Sequence, residues 1–208
     1  MPIKFATLLF KKVPSAIISI MKSTIRKSTW KAIYRLLDKV SPVDFDCGKL
    51  CGSACCTQEG DESSDGACDF EMGIYLLPGE EKLYTMKEEW LKWSAERAED
   101  YEFPESWHGN VYFVRCTTPP VCPREHRPLQ CRFYPLTPYL DEDDNLSLVI
   151  SQAETPYICP LISEKIKLND RFYRANLTVW KRLIKDPLIY DLVKMDSEYL
   201  DQLKNEAD

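Results

Sequence analysis

Glycine is scarce in this chain of 208 residues, seven against fourteen prolines, and histidine is scarcer still, at two. No GxGxxG or GxxxxGK[ST] stretch occurs, so the phosphate-cradling loops of nucleotide enzymes are excluded. No apolar run approaches the roughly 18 residues of a spanning helix, so no transmembrane segment is expected. No secretory leader is expected either. Residues 5–10 are too short for its apolar stretch, residues 13–21 lie between Lys11-Lys12 and Lys22, and no small-x-small site follows. These absences predict a cytoplasmic, soluble protein. Positive charge is not in excess: 27 Lys+Arg face 33 Asp+Glu, a net −6 that argues against nucleic acid as a partner. At 44% hydrophobic and 12% aromatic residues, the chain can bury a real core, which excludes wholesale disorder.

What the chain does have is cysteine. Nine are present, in the order Cys47-x3-Cys51-x3-Cys55-Cys56, Cys68, Cys116-x5-Cys122-x8-Cys131, Cys159. An odd number without a leader argues against a disulfide framework, and independent core cysteines would not bunch four into residues 47–56. In a reducing compartment, such local groups read as metal ligands. Thiolates from one short loop lose little chain entropy on meeting an ion, and later cysteines complete the shell. A helical first segment would put Cys47, Cys51 and Cys55 on one face. Cys56 would then point about 100° away, toward a second site. Prolines at 119, 120, 123, 128, 135 and 138 fix φ around the second group, as a rigid ligand-bearing loop requires. Arg127 and Arg132 lie there too, either to offset thiolate charge or as solvated surface groups. His126 is a lesser ligand candidate, and His108 reads as a surface residue.

Charge divides the chain. Residues 1–40 hold nine basic residues and one acid, Asp38, a local +8 set against −14 for the rest. The basic arm reads as packed on the acidic body, or as a contact for a protein partner or an anionic membrane surface. Three parts follow: a basic helical N-terminal arm over 1–43, a cysteine-cluster domain over 44–160 and C-terminal helices over 161–208 packed on it.

Periodicity places the elements. Ser28 or Thr29 can cap a helix carrying Trp30, Ile33, Tyr34, Leu37 and Val40, stopped by Ser41-Pro42. The tract 58–66 is polar, acidic and expected to be mobile. Strands are expected over 71–77, 111–115 and 146–151, the last after an acidic turn at 141–145. A helix opening at Glu80-Glu81 would carry Leu83, Met86, Trp90 and Trp93 on one face, a stripe that reads as core. Helices are expected over 170–185, 187–195 and 197–205. The fold class is α+β: a small mixed domain with few short strands, cysteine-rich loops holding metal and helical terminal parts.

The first cysteine motif followed by Cys122, Arg127-Pro128-x2-Cys131-Arg132-x-Tyr134-Pro135 resembles the YkgJ-type cysteine-cluster family, described as a zinc- or iron-chelating domain with eight characteristic cysteines. The resemblance covers residues 44–160. The gaps between Cys47 and Cys55 are each one residue wider than the family's commonest motif, and Cys122 to Arg127 is one tighter. It implies Cys47, Cys51, Cys55, Cys56, Cys116, Cys122, Cys131 and Cys159 as ligands of zinc or iron, the latter including a 4Fe-4S cluster, and leaves Cys68 spare. The family looks related to flagellin lysine N-methylase, so a cluster-dependent protein-modifying enzyme is one alternative. A zinc-stapled interaction module is the other.

Overall fold

The computed structural model describes residues 22–57, 73–152, 155 and 157–207. The first 21 residues of the basic arm, the tract 58–66 and Cys68 lie outside the described residues. Among those described, no helix is long and apolar enough to cross a membrane.

Helix α1 (Lys27–Leu37) buries Trp30, Ile33, Tyr34 and Leu37, the 3.6-residue stripe read from the sequence. It begins at Arg26 without a side-chain cap, so neither Ser28 nor Thr29 caps it. Two one-turn helices follow, α2 (Gly48–Cys51) and α3 (Ala54–Thr57). A short strand β1 (Ile74–Tyr75) pairs antiparallel with β3 (Asn110–Cys116), whose other edge pairs antiparallel with β2 (Leu91–Arg97), giving the order β1-β3-β2. A second, two-stranded sheet joins β4 (Leu136–Leu140) to β5 (Leu146–Ile150). Two further short helices, α4 (Leu129–Phe133) and α5 (Pro160–Ser163), precede the long C-terminal pair α6 (Asp170–Leu183) and α7 (Pro187–Ala207). The fold is a small α+β domain.

The main core brings α1, α4, α6 and α7 against the β4-β5 hairpin, with Trp30, Leu129, Phe172, Leu183 and Ile189 at its centre. Each fully buried large side chain contributes roughly 1.5–3 kcal/mol by leaving water. Helix α7 reaches the three-stranded sheet through Leu188, which packs with Trp107 and Val111. Its carbonyl accepts a 2.9 Å bond from Trp107 Nε1. Buried Asp186 precedes Pro187 at the start of α7. Its carboxylate accepts from the Leu188 amide, and also from Ser23 Oγ, the Thr24 amide and Thr24 Oγ1.

Three expectations are corrected. The predicted helix from Glu80 is one 3₁₀ turn, Glu80–Leu83. The chain then passes Met86 at φ 60 and enters β2. A seven-residue ladder with β3, and Trp93 against Tyr84 and Tyr112 at 5.4 and 6.3 Å, outweighs the helical spacing. Second, 187–195 and 197–205 form one helix. Ser197 does not break it because its hydroxyl donates to the Val193 carbonyl and accepts the Leu140 amide, tying α7 to β4. Third, β4 was not anticipated, since Pro135 and Pro138 discourage strand. Pro138 sits in a two-stranded ribbon, where an absent N–H can face outward.

Candidate metal centre

Between α1, the ends of β2 and β3, and the proline-rich loop lies a cavity of about 550 Å³. Cys47, Cys55, Cys56, Cys116, Cys122 and Cys131 line it. Cys51 and Cys159 lie outside its wall, close enough for their charge to be felt at Cys47. Residues 112 positions apart in sequence, Cys47 and Cys159, are therefore neighbours in space. All eight are free thiols. Cys68 lies outside the described residues.

Local structure explains each placement. Cys47 caps α2 and Cys51 is its last residue, with the Leu50 amide donating to the Cys47 carbonyl. The expected continuous helical face ends there. Gly52 and Ser53 adopt left-handed φ of 62 and 61°, favoured at Gly52 by the missing Cβ, and turn the chain into α3. Cys55 and Cys56 therefore both face the cavity, their sulfurs 3.8 Å apart. Cys116 is the last residue of β3, opposite Leu91. Cys159 opens α5, its carbonyl accepting from the Ile162 and Ser163 amides.

Cys122 and Cys131 belong to a loop pinned from two sides. Arg132 is buried, so it is no solvated surface charge. It donates to the carbonyls of Arg127 (2.6 Å), Arg124 (2.6 Å) and Tyr34 (3.2 Å), and its guanidinium stacks 4.6 Å from the Tyr34 ring. Glu80, fully buried, accepts from Tyr34 Oη, the Leu77 amide and the Leu129 amide at the start of α4, one turn from Cys131. Tyr34 also meets Tyr84 hydroxyl to hydroxyl, at 2.8 Å, and Tyr84 donates to the His126 carbonyl. Nothing in the sequence marked Glu80 for the interior: it stood in an acidic pair that read as a helix start. His126 contributes this carbonyl and does not line the cavity.

Charge at the site is lopsided. Lys92, Arg115, Arg124, Arg127 and Arg132 line the cavity against one carboxylate, Asp46, in a protein that is acidic overall. Arg127 Nε donates to Cys122 Sγ at 3.2 Å. Burial pushes the thiols of Cys47 and Cys122 up, and that of Cys131 up to about 12. Cys55 and Cys56 are in sulfur-to-sulfur contact. The contact holds Cys55 above the ordinary thiol range and Cys56 below it. Tyr134 and Tyr157, which sequence reasoning missed, stand edge to face at 6.3 Å beside Cys159, with Tyr157 pushed up to about 12 by burial.

Chemically, this is a soft, sulfur-rich pocket with cationic support, suited to thiophilic ions. Among the described residues, no three Cys, His, Asp or Glu side chains already close on a single point as a metal ion would require. The sulfurs share a cavity without meeting at a centre. The chain matches no protein-family model, no curated protein and no solved structure.

Proposed function

We propose that this protein binds metal through Cys47, Cys51, Cys55, Cys56, Cys116, Cys122, Cys131 and Cys159, as zinc ions or an iron–sulfur cluster. The observation that carries the reading is convergence: six cysteines, from residues 47–56 and 116–131, line one cation-bearing cavity, with Cys51 and Cys159 beside it near Cys47. The donor set therefore fits a soft metal, and the resemblance to the YkgJ-type family points the same way. A bound metal would supply a structural staple or a Lewis-acidic or redox centre, depending on whether its shell is closed. The chain's own residues do the rest. Arg127 stabilises thiolate at Cys122, Arg132 and Glu80 hold the ligand loop in register, and the cavity walls limit water. The proposal sets the protein in the cytoplasm, where thiols stay reduced and available to metal.

A second reading is a cluster-dependent protein-modifying enzyme. The cavity favours it, because about 550 Å³ exceeds what sulfur shells alone occupy and leaves room for a substrate side chain. Anaerobic purification with elemental analysis and an absorption spectrum tests the metal reading. Iron with sulfide and broad visible absorption means a cluster, and a colourless protein with about two zinc per chain means two closed shells. A folded protein without stoichiometric metal, and unable to take it up, would sink the proposal.

A further inference from the structure

A cavity with room for a substrate side chain leaves open which side chain that is, and its wall carries chemistry that chooses. Arg124 and Arg127 both line it, and Arg132 holds their backbone by donating to both of their carbonyls at 2.6 Å. Arg127 spends Nε on Cys122 Sγ, and exposed Arg124 reaches the Val40 carbonyl with one Nη at 3.4 Å. Among the described residues, their other guanidinium donors meet no acceptor. Such a planar fork matches a carboxylate two bonds at a time. Lys92 and Arg115 stand directly opposite each other on the β2-β3 ladder and line the same cavity. Like charges so placed repel, which favours an anion beside them. Among the described residues, Asp46 is the one carboxylate in the wall, and it already accepts the Gly48 amide.

The mouth of the cavity is different in character. Phe45, Val121 and Ile158 are exposed, and each adjoins a wall residue, Asp46, Cys122 and Tyr157 in turn. Exposed Leu50 sits on α2 between Cys47 and Cys51. Val121 and Ile158, at 76 and 77%, are the most exposed large apolar side chains among the described residues. A small free anion would leave these side chains in water. A protein segment can cover them while sending one side chain inward.

We propose that the cavity takes an acidic side chain, Asp or Glu, presented by a protein segment that carries bulky apolar residues beside it. The proposal rests on the protein-modifying reading and names its substrate class. Arg124 and Arg127 hold the carboxylate, Lys92 and Arg115 add charge, and the flanking apolar residues cover Val121 and Ile158. Charge complementarity selects this occupant. The same wall disfavours a lysine as the modified residue, and disfavours the chain's own basic arm, which carries +8 over residues 1–40.

The test sets the full chain, purified anaerobically, against a random dodecapeptide library displayed on phage. Selected peptides should pair Asp or Glu with a neighbouring bulky apolar residue. In fluorescence anisotropy, a labelled peptide of that motif should bind about tenfold more tightly than its twin with Lys at the acid. Arg124 touches no sulfur, so Arg124→Gln should weaken the acidic peptide by about tenfold at unchanged metal content. Arg124→Glu should shift the preference toward the Lys twin, a reversal that a merely structural role would not produce. Val121→Ser with Ile158→Ser should also weaken the acidic peptide. A basic or purely apolar motif, no enriched motif, or unchanged binding by Arg124→Gln overturns the proposal. So does dimerisation of the chain that the Val121→Ser, Ile158→Ser variant abolishes, which assigns the mouth to a second copy. Metal content separates the two readings. A metal-loaded parent that binds no acidic peptide sinks the proposal alone, whereas a parent that binds the peptide but takes up no metal sinks the cluster-dependent enzyme and leaves the docking site.

Discussion

The helical core and the cysteine-bearing loops are held by different forces. In the core, α1, α6, α7 and the β4-β5 hairpin bury Trp30, Phe172, Leu183 and Ile189 almost completely. Around the cavity, regular structure shrinks to single turns, the sulfurs are half-buried or exposed, and polar clamps from Arg132 and Glu80 fix the backbone. Apolar burial builds the first region without help. The second has hydrogen bonds, rigid prolines and, on the reading proposed above, metal. On that reading, one small domain joins a half built by apolar burial to a half that a bound metal would complete.

Five experiments would break or sharpen that contrast. Trp30→Ala should cost about 3–5 kcal/mol and abolish cooperative urea unfolding of the whole chain, since it empties the centre of the core. Stripping metal should cost about 3–4 kcal/mol at saturating metal concentrations. That loss should be confined: proteolysis and hydrogen exchange should open residues 47–57 and 116–131 while α6 and α7 stay protected. If the helices open as well, the two regions are one cooperative unit and the contrast fails. Metal uptake should also strengthen with pH. Burial holds Cys47, Cys122 and Cys131 above the ordinary thiol range, so loading releases protons that acid supplies back. Apparent affinity should gain about tenfold per pH unit for each proton released, and a flat profile from pH 6 to 8 would exclude thiolate ligation.

Glu80→Gln comes next, at about 1–3 kcal/mol, because an amide cannot accept from all three donors. Burial raises this carboxyl's proton affinity in the fold. Its stabilisation is therefore full at low pH and falls as pH climbs above the ordinary carboxylate range. Thermal melts should show that slope in the parent and lose it in the variant. Smallest of all, Cys68→Ser should leave metal content unchanged and shift stability by under about 0.5 kcal/mol. Metal loss there would return Cys68 to the ligand set.

Legibility in the sequence follows the same divide. Where apolar residues recur with a helical period, as at Trp30, Ile33, Tyr34 and Leu37, or in α6 at Phe172, Trp180 and Leu183, pattern and burial coincide. The cysteines stand out as clusters by their spacing, and the resemblance to a family implies the set of eight. Their convergence was not legible, because no local pattern brings Cys159 to Cys47. The failures have a shared cause. Leu83, Met86, Trp90 and Trp93 fit a helix, but Leu83 ends a 3₁₀ turn and only Trp93 enters β2, opposite Val114 of a strand that lies further along the chain. Glu80 looked like a solvated acid until three donors from distant segments closed on it.

The bond from the Thr24 amide to Asp186 spans 162 residues. During synthesis, therefore, α1 is complete long before the group that anchors its leading segment exists. Trp30 and its neighbours must wait for α6 to supply Phe172 and Trp180, and Ser23 and Thr24 for the start of α7. The cysteine loops emerge in that interval, ahead of the scaffold that positions them. A ribosome-bound chain ending before α6, at residue 170, would expose reactive thiols and an unpaired amphipathic helix together, so the last fifth of the sequence is what makes the first four-fifths safe to fold.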